Sequence, residues 1–336
     1  MLKRLTQLLR KLFGRREQPP AQAGAAGKVD GRRVDNYEND LKRLNRETDT
    51  LYRLLYHLAH DPENAIDLSA VQTREAFAFQ WENLKSGQYL LSDPWFRNNV
   101  DDILVNQEML IQKEWFADKQ VLDVGCGSGR WSYGFAKLGA SVTAVDVSSV
   151  ALKDTQEALA QFDVGKSFIQ SEAESLVAAV DGKKFDVVFS WGVLHHCRSF
   201  AEALRQAAAC VDSGGVLYLY LYGRESMALD DDIRLFKERL HYNSLPSDKR
   251  MAFLEEKAQG DAERIHSMHD VYAPMINRRL DYAYVKRFLE ALGFIDVTRT
   301  IDHTEIFVRA VKDFSEHLRG SFLPPSSAPF WFQHHR

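Results

Sequence analysis

Val121-Leu122-Asp123-Val124-Gly125-Cys126-Gly127-Ser128-Gly129 decides how this chain reads. An apolar, valine-rich run reaches an acid and then passes through glycines at alternate positions before a helix-forming stretch opens at Arg130. Glycine suits a turn that must be tight and must pass a ligand with no side chain in between. The helix that follows presents free N–H groups and the positive end of its dipole, an arrangement that receives a carboxylate as readily as a phosphate.

Outward from that turn, short β-branched runs alternate with helical stretches. The runs are 120–124, 141–147, 166–170, 185–190 and 215–222, followed by 295–301 and 304–311. Helical separation of the first five predicts right-handed βαβ units and a parallel sheet. The last two are joined only by Asp302 and His303, so a hairpin is expected and one strand runs antiparallel. Residues 224–280 lengthen the connection after the fifth strand and are charged and mostly helical. An insertion there lies beside the carboxyl ends of the strands, where ligands bind in open α/β sheets. Its His266, His269 and Asp270 read as surface or substrate-pocket residues rather than a metal site.

Two cofactors compete for the glycine turn. A dinucleotide fingerprint needs G-x-G-x-x-G/A, but the third position falls on Arg130 or Ser132, depending on the frame. An acid just before the first glycine suits a cationic amino group better than a pyrophosphate, and the methionine part of S-adenosylmethionine carries one. The second strand ends at Asp146, 17 residues beyond Gly129, where an acid can accept from both ribose hydroxyls. The third strand leads into Ser171-Glu172-Ala173-Glu174. An acid there could accept from an adenine amino group, with the Ala173 N–H opposite a ring nitrogen. The fourth strand delivers Ser190-Trp191-Gly192-Val193-Leu194-His195-His196 directly to the site.

As a set, D-x-G-x-G-x-G, V-D, Q-x-E-A-E and F-D-x-V-x-S-x-G-V-L-H-H resemble class I S-adenosylmethionine-dependent methyltransferases, over about 120–312. The branch they look most like includes quinone-biosynthesis and natural-product enzymes. The resemblance implies an α/β, Rossmann-like seven-stranded sheet in the order 3-2-1-4-5-7-6, strand 7 antiparallel, here with an N-terminal helical extension. It assigns cofactor contacts to Asp123, Gly125, Gly127, Asp146, Glu172, Ala173 and Ser190. Cys126, Gly129 and Val147 are further cofactor-side candidates. Phe77-Ala78-Phe79-Gln80-Trp81 resembles an aromatic segment that closes over the cofactor in some relatives, which adds Trp81; the other reading of these aromatics is plain core. The stretch from Asp270 to Pro274, with Tyr284 and Phe294, resembles the late substrate-side segment of the same branch. The histidine that relatives often keep there is missing between Pro274 and Tyr284.

Methyl transfer from a sulfonium is an in-line displacement for which the cofactor brings the activated group. The protein aligns the partners and excludes water. A base is needed only for a weakly acidic acceptor, and His196, then His195, are the candidates; the alternative is that a histidine there caps or hydrogen-bonds the backbone. A [DN]-P-P-[YFW] motif, which stacks a flipped nucleic-acid base, is absent after the fourth strand. A small-molecule, lipid or glycan acceptor is therefore expected, and nucleic acid is not. Two other readings stay open: a cofactor-binding scaffold without catalysis, and an NAD-dependent oxidoreductase.

Composition bounds the rest. The 336 residues are 45% apolar and 27% charged, with a net charge of -4, ordinary for a globular protein. Residues 1–16 hold six Lys/Arg and no acid, leaving 37 basic and 47 acidic residues beyond them. Residues 1–13 read as a basic amphipathic helix suited to peripheral membrane contact, and 14–33 as a flexible linker. Tyr37, Leu41, Leu44, Thr48, Leu51, Leu55 and Leu58 are spaced by fours and threes. They form a heptad seam that either joins a second copy in a homodimer or lies on the chain's own body. A helical extension over 34–117, a core domain over 118–312 and a tail over 313–336 complete the expected organisation. Cys126, Cys197 and Cys210 make neither a disulfide framework nor a zinc pattern, which points to a reducing, cytoplasmic setting.

Overall fold

The computed structural model describes residues 31–312 except 64 and 66, together with 318, 320–326, 330 and 331. The readings of 1–30 as a basic helix and linker lie outside the described residues. Helix α1 (Gly31–Ala59) begins inside the stretch read as linker. It crosses a division of the chain into two compact units, one ending at Thr50 and one starting at Leu51. In the first unit Thr50 Oγ1 donates to the Arg46 carbonyl one turn back, and Leu41 and Leu44 are exposed. In the second unit the end of α1 buries Tyr56 and Ala59 against Ile233, Phe236 and Met275. The Tyr56 hydroxyl donates to Asp232 at 2.5 Å.

The second unit continues with α2 (Asp67–Asn83), α3 (Pro94–Ile103) and a π-helical turn over Leu104–Met109. Asp93 starts α3 by accepting from the Trp95 N–H at 2.9 Å, with Pro94 in the first turn, the usual chemistry of a capped start. Then follow β1 (Gln120–Val124), α4 (Arg130–Lys137), β2 (Ser141–Asp146), α5 (Ser149–Leu159) and β3 (Lys166–Gln170). After the short α6 (Leu176–Ala179) come β4 (Phe185–Trp191), α7 (Phe200–Cys210) and β5 (Val211–Leu221). The insertion forms α8 (Leu229–Ser244), α9 (Ser247–Lys257) and α10 (Ile265–Tyr272), and α11 (Tyr282–Ala291), β6 (Asp296–Arg299) and β7 (Ile306–Val311) close the sheet.

The sheet order is β3-β2-β1-β4-β5-β7-β6, with β7 antiparallel to both of its neighbours. Alternation along the central strands makes two cores. Val187, Phe189 and Tyr218 face one layer with α3, α4 and Trp331, while Val188, Leu217, Leu219 and Leu221 face α7 and α11. Two details differ from the sequence reading. The β6–β7 connection occupies 300–305 rather than two residues, although the Thr300 N–H still donates across to the Phe307 carbonyl at 3.1 Å. β5 begins at Val211 rather than 215, through an irregular register against Phe185. Among the described residues no helix is long and apolar enough to cross a membrane.

Candidate functional site

The carboxyl ends of β1, β2, β3 and β4 gather most of the residues nominated from sequence. Asp146 closes β2 and is 7% exposed. Its two oxygens accept from the Gly127 and Ser148 N–H groups, each at 2.9 Å. That fixes the carboxylate beside the glycine turn and leaves lone pairs for a further donor. Burial raises its pKa. Asp123 is 1% exposed and accepts from Ser132 Oγ at 2.5 Å. Burial pushes its carboxyl up to about 6, against the pull of that hydrogen bond. Ser190 Oγ, at the end of β4, is buried without a hydrogen-bond partner. Val147 and Glu172 border a cavity of about 230 Å³ with Arg74, Gln170 and Ser171, and Ala173 is buried next to it. A larger cavity, about 420 Å³, lies at α3 and the π turn and contains none of the nominated residues.

Each glycine of the turn has positive φ, +74° at Gly125, +54° at Gly127 and +84° at Gly129, a region that L side chains rarely adopt. A side-chain carbon at Gly125 would meet Val193, at Gly127 the Trp81 ring, and at Gly129 Thr155. The glycines therefore admit close packing by the protein itself as well as the sharp turn. Cys126 is buried, and burial holds its thiol well above the ordinary range. Its sulfur lies 3.5 Å from Thr155 Oγ1, which is packing rather than nucleophilic chemistry.

Helix α2 spans the site with one face. Arg74 pairs with Glu172, Phe77 meets the His196 ring edge-on at 5.0 Å, and Trp81 covers Gly127. Spacings of three and four place these three in one stripe of the helix. On the flank of that stripe, Gln80 donates to Asp270 at 2.7 Å. The adenine-side acid named from sequence is thus engaged by an arginine that the sequence reading did not single out.

Beyond the turn, His196 brings Nδ1 to 2.6 Å from the Ile276 carbonyl. A carbonyl only accepts, so Nδ1 carries the proton and Nε2 keeps its lone pair. Burial pulls the His196 pKa down to about 3, so the ring is neutral at physiological pH. His195 is fully buried between His196 and Tyr222, with ring centroids at 4.0 and 4.1 Å. Tyr220, Trp191 and Arg130 continue this wall, and the Arg130 guanidinium stacks 4.2 Å from the Trp191 ring. Arg278, 2% exposed, donates to the backbone carbonyls of His60, Asp61, His195, Cys197 and Arg198. It ties the histidine-bearing loop to the segment between α1 and α2.

His266 and His269 are corrected from the surface alternative: they are 8% and 1% exposed. His266 Nδ1 lies 2.7 Å from the Leu84 carbonyl, and His269 stacks on Phe79 at 5.5 Å. The polar sequence of the insert hid this, because α2 covers that face. Arg278 escaped notice for a related reason: an Arg-Arg pair in a charged insertion reads as solvated. Among the described residues no cluster of His, Cys, Asp and Glu could hold a metal ion.

The mixed seven-stranded sheet with this strand order and a glycine turn after β1 is the Rossmann-like architecture of class I methyltransferases. Residues 121–215 match the family model described as a methyltransferase domain, and the chain carries a class I S-adenosylmethionine-dependent methyltransferase domain. A ubiquinone biosynthesis O-methyltransferase of Pseudomonas aeruginosa is 29% identical over 163 residues, 48% of this chain and 66% of that protein. The Albidiferax ferrireducens protein of the same description is 37% identical over 109 residues, 32% and 43% of the two chains. This chain therefore covers less than two thirds of the length of the curated relatives it matches. Among solved structures, magnesium protoporphyrin IX methyltransferase from Synechocystis PCC 6803 aligns over 74% of this chain and 99% of its own, at 18% identity and a TM-score of 0.44.

Proposed function

We propose that the chain transfers the methyl group of S-adenosylmethionine to a hydroxyl oxygen of a small-molecule, lipid or glycan acceptor. The observation that carries the reading is Asp146, held at the tip of β2 by the Gly127 and Ser148 N–H groups with lone pairs to spare. The cofactor supplies a methyl group already activated by its sulfonium. Asp146 would accept from the ribose hydroxyls, and Asp123 would face the amino group. Glu172 and Ala173 would take the adenine edge, with Val147 beside the ring, and Ser190 Oγ is an orphaned polar atom available to the methionine end. Gly125, Cys126, Gly127 and Gly129 shape the turn, and Trp81 shields it from water. His196, neutral with Nε2 unprotonated, would take the acceptor hydroxyl's proton; His195 is the second candidate. The names of the curated relatives favour oxygen as the acceptor atom.

Calorimetry with S-adenosylhomocysteine and NADH tests the reading. S-Adenosylhomocysteine should bind, NADH should not, and the reverse result would make the chain a dehydrogenase. A non-catalytic scaffold would bind S-adenosylhomocysteine yet transfer no methyl group to any acceptor.

The basic leucine-rich segment 1–13 supports a second element of the proposal, peripheral contact with an anionic membrane from the cytoplasmic side. Each Lys or Arg near such a surface contributes about 1 kcal/mol, weakening with salt. Full-length chain should float with anionic liposomes and a chain starting at Val34 should not; equal flotation sinks this part. The exposed Leu41 and Leu44 support pairing of two copies through 37–58, which sedimentation of the same two chains would reveal.

A further inference from the structure

One cation at the glycine turn has no counter-charge. Arg130 opens α4 directly after Gly129, where the helix dipole presents its positive end and disfavours a positive side chain. Burial opposes the charge as well and lowers the Arg130 pKa, yet a guanidinium stays protonated. Among the described residues no carboxylate lies within ion-pairing distance of it. Its hydrogen bond goes to the Tyr89 carbonyl at 3.2 Å, and the head lies over the Trp191 ring at 4.2 Å with Trp131 at 5.7 Å. Tyr89, which receives it, holds a φ of +62°, a region that bulky side chains rarely adopt. A guanidinium lying on a ring keeps the N–H groups of its own plane free, and that planar fork meets a carboxylate in two parallel bonds. Arg130 is only partly buried, and its remaining N–H groups are not sealed from solvent. An anion that reaches the turn can therefore reach them.

The cofactor brings such an anion. Its methionine end carries an ammonium and a carboxylate on one carbon, and the roles given above answer the ammonium with Asp123 and leave the carboxylate unanswered. Asp123 precedes the glycine turn and Arg130 follows it, close enough that each charge acts on the other. The two ends of the turn thus present an anion and a cation to a ligand that carries a cation and an anion. We propose that Arg130 receives the carboxylate of the cofactor's methionine end, so that the chain selects cofactors that carry it over forms that have lost it. This rests on the methyltransferase reading above. The Tyr89 carbonyl and the Trp191 ring are positioning groups that aim the fork.

Calorimetry on the full chain tests the assignment by comparing S-adenosylhomocysteine with S-adenosyl-3-thiopropylamine, which keeps the adenosine, the sulfur and the ammonium and lacks only the carboxylate. The wild-type protein should prefer S-adenosylhomocysteine about 10–100-fold, as for hydrogen bonds to a charged group. Arg130→Gln keeps a planar polar end beside Trp191. It should lose that factor for S-adenosylhomocysteine and bind the thiopropylamine as the wild type does, so the preference falls toward one. Arg130→Lys should fall between the two, because an ammonium cannot make the paired bonds. Equal binding of both compounds by the wild-type protein overturns the inference and leaves the acid group of an acceptor as the partner of Arg130. A preference that persists in Arg130→Gln, or equal weakening of both compounds there, overturns it too, since Arg130 would then only shape the turn. Should circular dichroism show Arg130→Gln unfolded, the wild-type ratio and Arg130→Lys decide in the same way. A wild-type protein that binds neither compound would remove the methyltransferase reading, and this inference with it.

Discussion

Asp146, Asp123 and His196 show how environment turns similar residues to different tasks. Asp146→Ala removes the acceptor proposed for the ribose and should weaken S-adenosylhomocysteine binding by about 1.5–3 kcal/mol; calorimetry returning the wild-type affinity would remove the assignment. Asp123 must be ionised to pair with an ammonium group, and burial raises its pKa to about 6. Below that pH the free protein must first release a proton, so S-adenosylhomocysteine Kd should rise roughly tenfold per pH unit under 6. A Kd flat from pH 5 to 8 would exclude Asp123 as the partner. His196→Asn should slow transfer if the ring is the base, by less than the about 10²–10⁴-fold of a base poised near neutrality, because burial holds its pKa at about 3, with cofactor affinity kept. From sequence alone the limb of the rate profile belongs near the free histidine value of about 6.5. The buried ring instead titrates at about 3, so the rate should be level from pH 5 to 8 as far as His196 governs it. The positions of these residues at the carboxyl ends of the strands were legible, because strand texture and glycine spacing mark those ends. Their ionisation was not, since it depends on what α2 and the insertion lay over them.

At the scale of elements, the five parallel strands were legible from alternating texture, and the hairpin was legible in kind but not in length. The π turn after α3 was not. A single turn of wider pitch leaves no period in a short apolar run, although such turns often mark functional places. This one carries Glu108 into the core at 0% exposure, where Tyr218 and the Trp331 Nε1–H, at 2.6 Å, donate to it. Burial raises its pKa from 4.5 to about 7. The native state then holds a proton that the unfolded chain has released, so Glu108 contributes stability below 4.5 that is lost as the pH rises to about 7. The loss amounts to about 3 kcal/mol across that window. Glu108→Gln cannot ionise, and urea unfolding from pH 4.5 to 7.5 should show a correspondingly flatter dependence for the variant. Parallel curves for the two proteins would mean that the carboxyl stays charged in the core.

For the whole molecule, the histidines and the acids pull in opposite directions. His195, His196 and His269 are held neutral by burial, with pKa values lowered from 6.5. Their contribution is present above 6.5 and drains away as the pH falls, at about 1.4 kcal/mol per histidine per pH unit. Asp123 and Glu108 gain stability over part of the same descent, down to their unfolded values of 3.8 and 4.5. His60 is lowered by burial as well, so the fall in stability should be less steep between 6 and 4.5, where the acids offset part of it, than below about 4, which urea midpoints from pH 3 to 8 would trace. The sequence could not foretell this, because it depends on which histidines, on the loop after β4 and in the polar insertion, end up buried, His196 and His269 of them against helix α2. That same helix has one more consequence. Arg74, Phe77 and Trp81 are carried by a single rigid α2, with Arg74 and Trp81 on the nucleotide side and Phe77 on the side of the proposed base. A ligand that seats the helix on one side would seat it over the other as well, and linkage is reciprocal: any factor by which the spent cofactor tightened an acceptor would be the factor by which that acceptor retained the spent cofactor.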